Sequence, residues 1–137
     1  MEVKLPYGRS FLKAILPDHF AVDIIEAPKT PPAANPKAIV CAALENLRGE
    51  LRWSDFANTR SVAIAVNDKT RPVPHHHLLP PLLERLADLG IPDTAITFYI
   101  AVGTHPPLAV DEFSTILPVE VLKRYQVVSH DCENRSL

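Results

Sequence analysis

Three short apolar segments, each closed by a polar cluster, constrain this chain more than any other feature. Residues 61–66 (SVAIAV) run into NDKTRP, residues 95–102 (AITFYIAV) into GTHPP, and residues 126–129 (QVVS) into HDCEN. The first two are rich in β-branched and aromatic residues and read as buried strands, the third as a short strand. A helix over residues 77–89, closed by Gly90, separates the first two. A broken helix over residues 110–115 and 118–125 separates the second and third. Alternating strands and helices with apolar strands specify an α/β fold, here a Rossmann-like, mainly parallel three-layer βαβαβ unit. Right-handed crossovers bring the C-terminal ends of parallel strands to one edge, where open α/β sheets bind their ligands. The three polar clusters are therefore expected to meet.

The prolines divide the rest of the chain. Of fourteen, six lie in the first 36 residues, none between Lys37 and Arg71, and four within residues 72–81. Proline removes a backbone donor, so the proline-free interval is where continuous helix and strand should first appear. Asn35-Pro36 supplies an N-cap followed by proline at the first helical position. Ile39, Val40, Ala43, Leu44 and Leu47 then follow at helical spacing, with Gly49 placed to end the helix. Residues 53–58 should add one helical turn. Upstream, Val3, Leu5 and Tyr7 alternate with polar residues, and residues 11–16 and 20–25 read as further extended segments of an antiparallel β arm. Turns at Tyr7-Gly8-Arg9 and Pro17-Asp18-His19 separate them. Residues 27–35 form a proline-stiffened connector. The expected organisation is an arm and connector over residues 1–35, then an α/β domain over residues 36–137. Pro80 and Pro81 are compatible with the helix after NDKTRP if it starts near His77, because the first N–H groups of a helix have no intrahelical partner.

Composition narrows the function classes. With 47% hydrophobic and 22% charged residues the chain can bury a core and is not disordered. A net charge of −2 gives no electrostatic case for nucleic acid or an anionic membrane. Two cysteines, Cys41 and Cys132, cannot build a disulfide framework, and the N-terminus lacks the apolar core of a signal peptide. A cytoplasmic protein without a membrane span is the expectation.

The chemistry-bearing residues sit at the strand ends. Arg71 carries a planar fork suited to holding a carboxylate or phosphate bidentately, and Asp68 in the same turn could orient it; the plainer reading is a pair that only ties down the loop. His105 follows Gly103-Thr104 and precedes two prolines. Glycine allows close backbone approach to a ligand, the prolines restrict the loop, and imidazole exchanges protons near neutral pH. That makes His105 a candidate acid/base, against the plainer reading of a histidine bonded within its own loop. Thr70, Thr104, His130 and Asp131 share the same edge. The last two either pair in the pocket or simply end their strand. His75, His76 and His77 cannot easily converge on one metal ion, since adjacent residues point in different directions. They read as a solvated helix start with one ring facing the pocket. No metal site is expected: Cys41 reads as a core thiol, and Cys132 beside His130-Asp131 lacks the second cluster that zinc requires. Phosphate-loop, dinucleotide and nucleophile-elbow motifs are absent.

Taken together, Asp68-Lys69-Thr70-Arg71-Pro72, Leu82-Leu83-Glu84-Arg85-Leu86 to Gly90-Ile91, Gly103-Thr104-His105, and Tyr125-Gln126-Val127-Val128 with His130-Asp131 resemble, in order and spacing, the N-terminal region of the nickel-pincer lactate racemase family. The resemblance covers effectively the whole chain. It implies an isomerase acting on lactate or a related 2-hydroxy acid through a nicotinic-acid-derived nickel-pincer nucleotide. Hydride passes from substrate C2 to the cofactor and returns to either face. Meanwhile a histidine takes the hydroxyl proton and an arginine holds the carboxylate. By motif, His105 matches an acid/base histidine, Arg71 the carboxylate arginine and Asp68 its acidic companion. Family members are about three times as long, and their cofactor-anchoring lysine, nickel-ligating histidine and second acid/base histidine fall beyond Leu137. The expectation is therefore a truncated N-terminal domain that does not retain the cofactor, does not racemise lactate alone, and lacks the C-terminal portion of the enzyme. The alternative is a non-catalytic module that binds a small carboxylate or phosphate, or self-associates through an exposed sheet edge.

Overall fold

The computed structural model describes residues 1–134, which form two compact units, Met1–Pro32 and the chain from Ala33 onward. In the first, β1 (Glu2–Tyr7) and β2 (Ser10–Ile15) pair antiparallel, with Glu2 opposite Ile15 and Tyr7 opposite Ser10. Gly8 makes the reversal at a φ of 57°, a conformation open to glycine without a Cβ clash. Residues 20–25, expected to be extended and part of the arm, form no strand. The Phe20 N–H bonds back to the Pro17 carbonyl in a turn, and nothing beyond it supplies a ladder. A strand requires a partner as well as a pattern, and Phe20, Ile24 and Ile25 remain exposed.

The second unit begins as the Asn35-Pro36 signal requires. The Asn35 side chain accepts from the Ala38 N–H at 3.0 Å, and α1 spans Pro36–Glu45. The helix ends short of Gly49. Asn46 caps it through both its backbone and side-chain N–H groups on the Ala42 carbonyl, while the Trp53 indole N–H takes the Leu44 carbonyl at 2.7 Å. Side-chain donors thus satisfy terminal carbonyls before the glycine is reached. The turn expected near Trp53 is a 3-10 turn over Trp53–Phe56.

Strand β3 (Val62–Asn67), helix α2 (His75–Asp88), β4 (Ile96–Ala101), a 3-10 turn (Val110–Thr115), α3 (Val119–Arg124) and β5 (Gln126–Ser129) complete the unit. The strands are parallel and lie in chain order, β3-β4-β5, with Val62 opposite Ile96 and Phe98 opposite Val127. Ile96, Phe98 and Ile100 on β4 are 0–2% exposed and pack with Val66, with Leu79, Leu83 and Leu86 of α2, and with Val121 and Tyr125. Each large side chain so buried contributes about 1.5–3 kcal/mol. Phe98 meets the Tyr125 ring edge-on, with centroids 5.6 Å apart. α2 and α3 therefore cover the same face of the sheet, and α1 lies against α2. The described residues supply the sheet and the helices of one face. On the other face lie Ala63, Ala65 and Asn67 of β3, Thr97, Tyr99 and Ala101 of β4, and Gln126 and Val128 of β5, none of them buried.

Helix α2 departs from the expectation at its start. It begins at His75, with Pro74 as N-cap, so Pro80 and Pro81 lie in its second turn rather than at its entrance. The N–H groups of His77 and Leu78 both close on the Pro74 carbonyl, which fixes the first turn there. The prolines then withdraw the donors that the His76 and His77 carbonyls would otherwise receive. The apolar stripe of Leu79, Leu83 and Leu86 on the core carries the helix through regardless.

Candidate functional site

The first two polar clusters meet at the C-terminal edge of β3 and β4, and the third follows β5 at the same edge of the sheet. Asp68, the first residue past β3, is buried, and both its carboxylate oxygens accept hydrogen bonds there. Its Oδ1 accepts from the Thr70 hydroxyl at 2.6 Å and the Thr70 N–H at 3.1 Å, a local turn that Asp forms readily with the backbone two residues on. Its Oδ2 accepts from His105 Nδ1 at 2.7 Å, across 37 residues of sequence. The Thr70 hydroxyl, then the His105 bond, hold the Asp68 carboxyl below its usual pKa; burial opposes this, and the Thr70 N–H and the histidine's charge add to it. A second bridge ties the Asp68 turn to the 3-10 turn that follows the His105 loop: Lys69 Nζ lies 2.5 Å from Glu112 Oε1. This bond foremost, with the Ala109 N–H, likewise lowers the Glu112 pKa.

His105 sits at the end of a tight turn, its N–H bonded to the Val102 carbonyl, with Gly103 at a φ of 63° allowing the reversal. Because an ionised carboxylate only accepts, Nδ1 carries the proton and the neutral ring keeps its lone pair on Nε2. The side chain is 56% exposed, so Nε2 is accessible from the strand-end edge. The loop continues to Leu108, whose N–H bonds to Ser129 Oγ at 2.9 Å and joins the second cluster to the third strand.

Arg71 ends the turn that starts at Asp68, its N–H bonded to the Asp68 carbonyl at 3.2 Å. Its guanidinium is exposed and has no hydrogen bond or ion pair among the described residues. Asp68 therefore orients His105, and the arginine shares its loop without being its salt-bridge partner. Arg71 lines a cavity of about 100 Å³ together with Asp68, Lys69, His75 and Thr115. A larger groove of about 470 Å³ between α2 and α3, lined by Pro80, Leu83, Val121 and Tyr125, lies away from the strand ends. Its arginine, Arg124, is already committed to Asp93 at 2.8–3.1 Å, so the groove offers no free guanidinium.

Of the three consecutive histidines, His75 faces inward. It is buried, its Nδ1 lies 3.1 Å from the Ile116 carbonyl, and its ring lines the cavity beside Arg71. The reading that one ring faces the pocket holds, and the residue directly after Pro74 is the one. His130 and Asp131 end their strand and do not pair with each other: the His130 N–H continues the sheet to the Ile100 carbonyl, and Asp131 accepts from the Glu133 N–H. Thr104 is exposed at the turn, and Thr70 is spent on Asp68. Cys41 is half-buried and Cys132 exposed. Among the described residues no three His, Cys, Asp or Glu side chains are grouped so as to hold a metal ion, and no helix is long and apolar enough to cross a membrane.

The edge thus presents the exposed Arg71 guanidinium and the His105 ring held by Asp68. Comparison with known proteins finds relatives over nearly the whole chain. The chain is 30% identical over 135 residues to lactate racemase from Thermoanaerobacterium thermosaccharolyticum, covering 96% of this chain and 32% of the relative. It is 27% identical over 131 residues to lactate racemase from Lactiplantibacillus plantarum, covering 93% of this chain and 31% of the relative. The chain thus spans about a third of the length of the curated relatives it matches. Residues 7–137 match the family model described as the lactate racemase N-terminal domain, and the chain belongs to that family.

Proposed function

We propose that this unit supplies the carboxylate clamp and one acid/base of a racemase acting on lactate or a related 2-hydroxy acid. The observation that carries the reading is the Asp68–His105 bond beside an arginine whose side chain has no partner among the described residues. Arg71 takes the substrate carboxylate in its fork. His105 takes the substrate's hydroxyl proton at Nε2 and gives it back. Asp68 stays ionised, fixes the tautomer and stabilises the imidazolium in between.

The family implies a nickel-pincer nucleotide, and the donors present do not fit it. His105 is tied through Nδ1 to Asp68, His75 is buried against the Ile116 carbonyl, and no third ligand stands near either among the described residues. The reading accordingly assigns this unit to substrate and proton handling. It also implies that the 137-residue chain does not racemise lactate by itself, and measurable racemisation by the purified chain would overturn that part.

Titration of lactate into the protein, followed by NMR at the Arg71 and His105 side chains, tests the clamp. Arg71→Lys should weaken binding about 10- to 100-fold, because an ammonium cannot reproduce the bidentate fork. His105→Gln should leave the binding within a few fold. Unchanged binding in Arg71→Lys would remove the clamp.

A further inference from the structure

One buried side chain at the strand-end edge is only half satisfied. Counting from His75, the positions four, eight and eleven residues on are Leu79, Leu83 and Leu86, so the histidine heads the apolar stripe of α2. It is 6% exposed, where a leucine would be ordinary and a polar ring calls for partners. Only one is supplied. Nδ1 lies 3.1 Å from the Ile116 carbonyl, which can only accept, so Nδ1 carries the proton and the neutral ring keeps a lone pair on Nε2. Nε2 has no hydrogen-bond partner among the described residues, yet it is not sealed from solvent. The ring lines the cavity of about 100 Å³ that it shares with Arg71, and the adjoining cavity of about 290 Å³ that runs on past Thr115 toward Pro118. Nε2 therefore opens into one continuous crevice that begins at Arg71.

The crevice is one-sided in its chemistry. Of the side-chain donors around the smaller cavity, Lys69 is held by Glu112, and the Thr115 hydroxyl gives its proton to the Glu112 carbonyl at 2.6 Å, which leaves Arg71. His75 Nε2 and the Thr115 oxygen are left to accept. A matching ligand brings a carboxylate for Arg71 and a hydrogen-bond donor for His75. We infer, on the reading that Arg71 clamps the carboxylate, that His75 is a specificity-determining residue and selects a 2,3-dihydroxy acid, glycerate being the smallest, over lactate. With the carboxylate on Arg71 and the 2-hydroxyl at His105, the remaining group on C2 continues into the crevice. In lactate that group is a methyl, which would cover Nε2 with carbon and leave a buried acceptor dry. A 3-hydroxyl donates to it instead. A site built to hydrogen-bond a hydroxyl discriminates against the analogue lacking it, because the orphaned group keeps its desolvation cost.

Lactate, glycerate and malate are titrated into the 137-residue chain, with the imidazole nitrogen signals of His75 and His105 followed by NMR. Glycerate should bind at least about 10-fold more tightly than lactate. It should also shift His75 Nε2 in the direction of hydrogen-bond acceptance, which lactate does not. His75→Phe should erase the preference, while His75→Gln, whose amide oxygen can accept, keeps part of it. Should either variant fail to fold, the Nε2 signal of the wild-type protein carries the test. Equal affinity for lactate and glycerate, with Nε2 unmoved by both, would overturn the inference. So would tighter binding of malate than of glycerate, because a second carboxylate requires a ring nitrogen that donates. Arg71→Lys separates this selection from the clamp itself. If it weakens both acids and the wild-type protein does not discriminate between them, only the role of His75 falls. If it weakens neither, the clamp falls and the selection with it, and absence of binding by all three acids removes both.

Discussion

The hairpin of the first unit is predicted from alternating residues and the sheet of the second from short apolar runs, and the two bury very different amounts. In β1 and β2 the large apolar side chains Leu5, Tyr7, Phe11, Leu12 and Ile15 are each more than half exposed. In β4 every second residue is sealed from solvent: Ile96, Phe98 and Ile100. Backbone pairing is complete in both cases. What differs is the layer above. Two helices cover one face of the three-stranded sheet, while the described residues of the first unit provide the hairpin with no helix. Pairing thus follows from local pattern, whereas burial follows from topology, and stability follows burial.

Substitution experiments can break or sharpen that contrast. The largest effect is expected at Phe98, where alanine should cost about 3–5 kcal/mol in urea unfolding, because the cavity lies under both α2 and α3. A loss below about 2 kcal/mol would mean that the core is not centred on β4. Gly103→Ala comes next. The added Cβ meets no atom within 4 Å, so the cost is that of holding a non-glycine residue at a φ of 63°, about 1–2 kcal/mol.

The pH dependence of Asp68 is a subtler measure of the same unit. Its folded pKa lies below the ordinary carboxylate value, so its contribution is present above that value and is lost as pH falls through it toward the lowered one. The stability difference between wild type and Asp68→Asn should therefore be steady near neutrality and shrink below about pH 4. A difference that grew toward acid would show that the folded state prefers a protonated Asp68. The smallest effect is expected in the hairpin, where Phe11→Ala should stay within about 0.5 kcal/mol, since its ring is 65% exposed. A loss near that of Phe98→Ala would erase the contrast.

The sequence announced much of this architecture, because the decisive signals are local. Asn35-Pro36 marks a helix start by chemistry confined to four residues, and the third strand lies at the predicted residues 126–129. The convergence of Asp68 and His105 was also legible, since it follows from parallel strands alone. Other features depended on distant partners. The end of α1 is set by the Asn46 cap together with Trp53, whose indole reaches back nine residues to the Leu44 carbonyl, so helical spacing through Leu47 misplaces it. The inward turn of His75 depends on the Ile116 carbonyl, 41 residues away. The same limit applied to the pairing of Asp68. Its companion in the turn, Arg71, seemed its natural partner, but the carboxylate is occupied by Thr70 and His105.

The order of the strands has a consequence for the chain's synthesis. β3, β4 and β5 pair in the sequence in which they leave the ribosome, each beside a strand already made, with the connecting helix emerging between them. No strand must wait for a distant partner, and none must be threaded between two others. The polar edge carrying Asp68 and His105 therefore needs no residue beyond β4 and the turn after it to bring its two loops together.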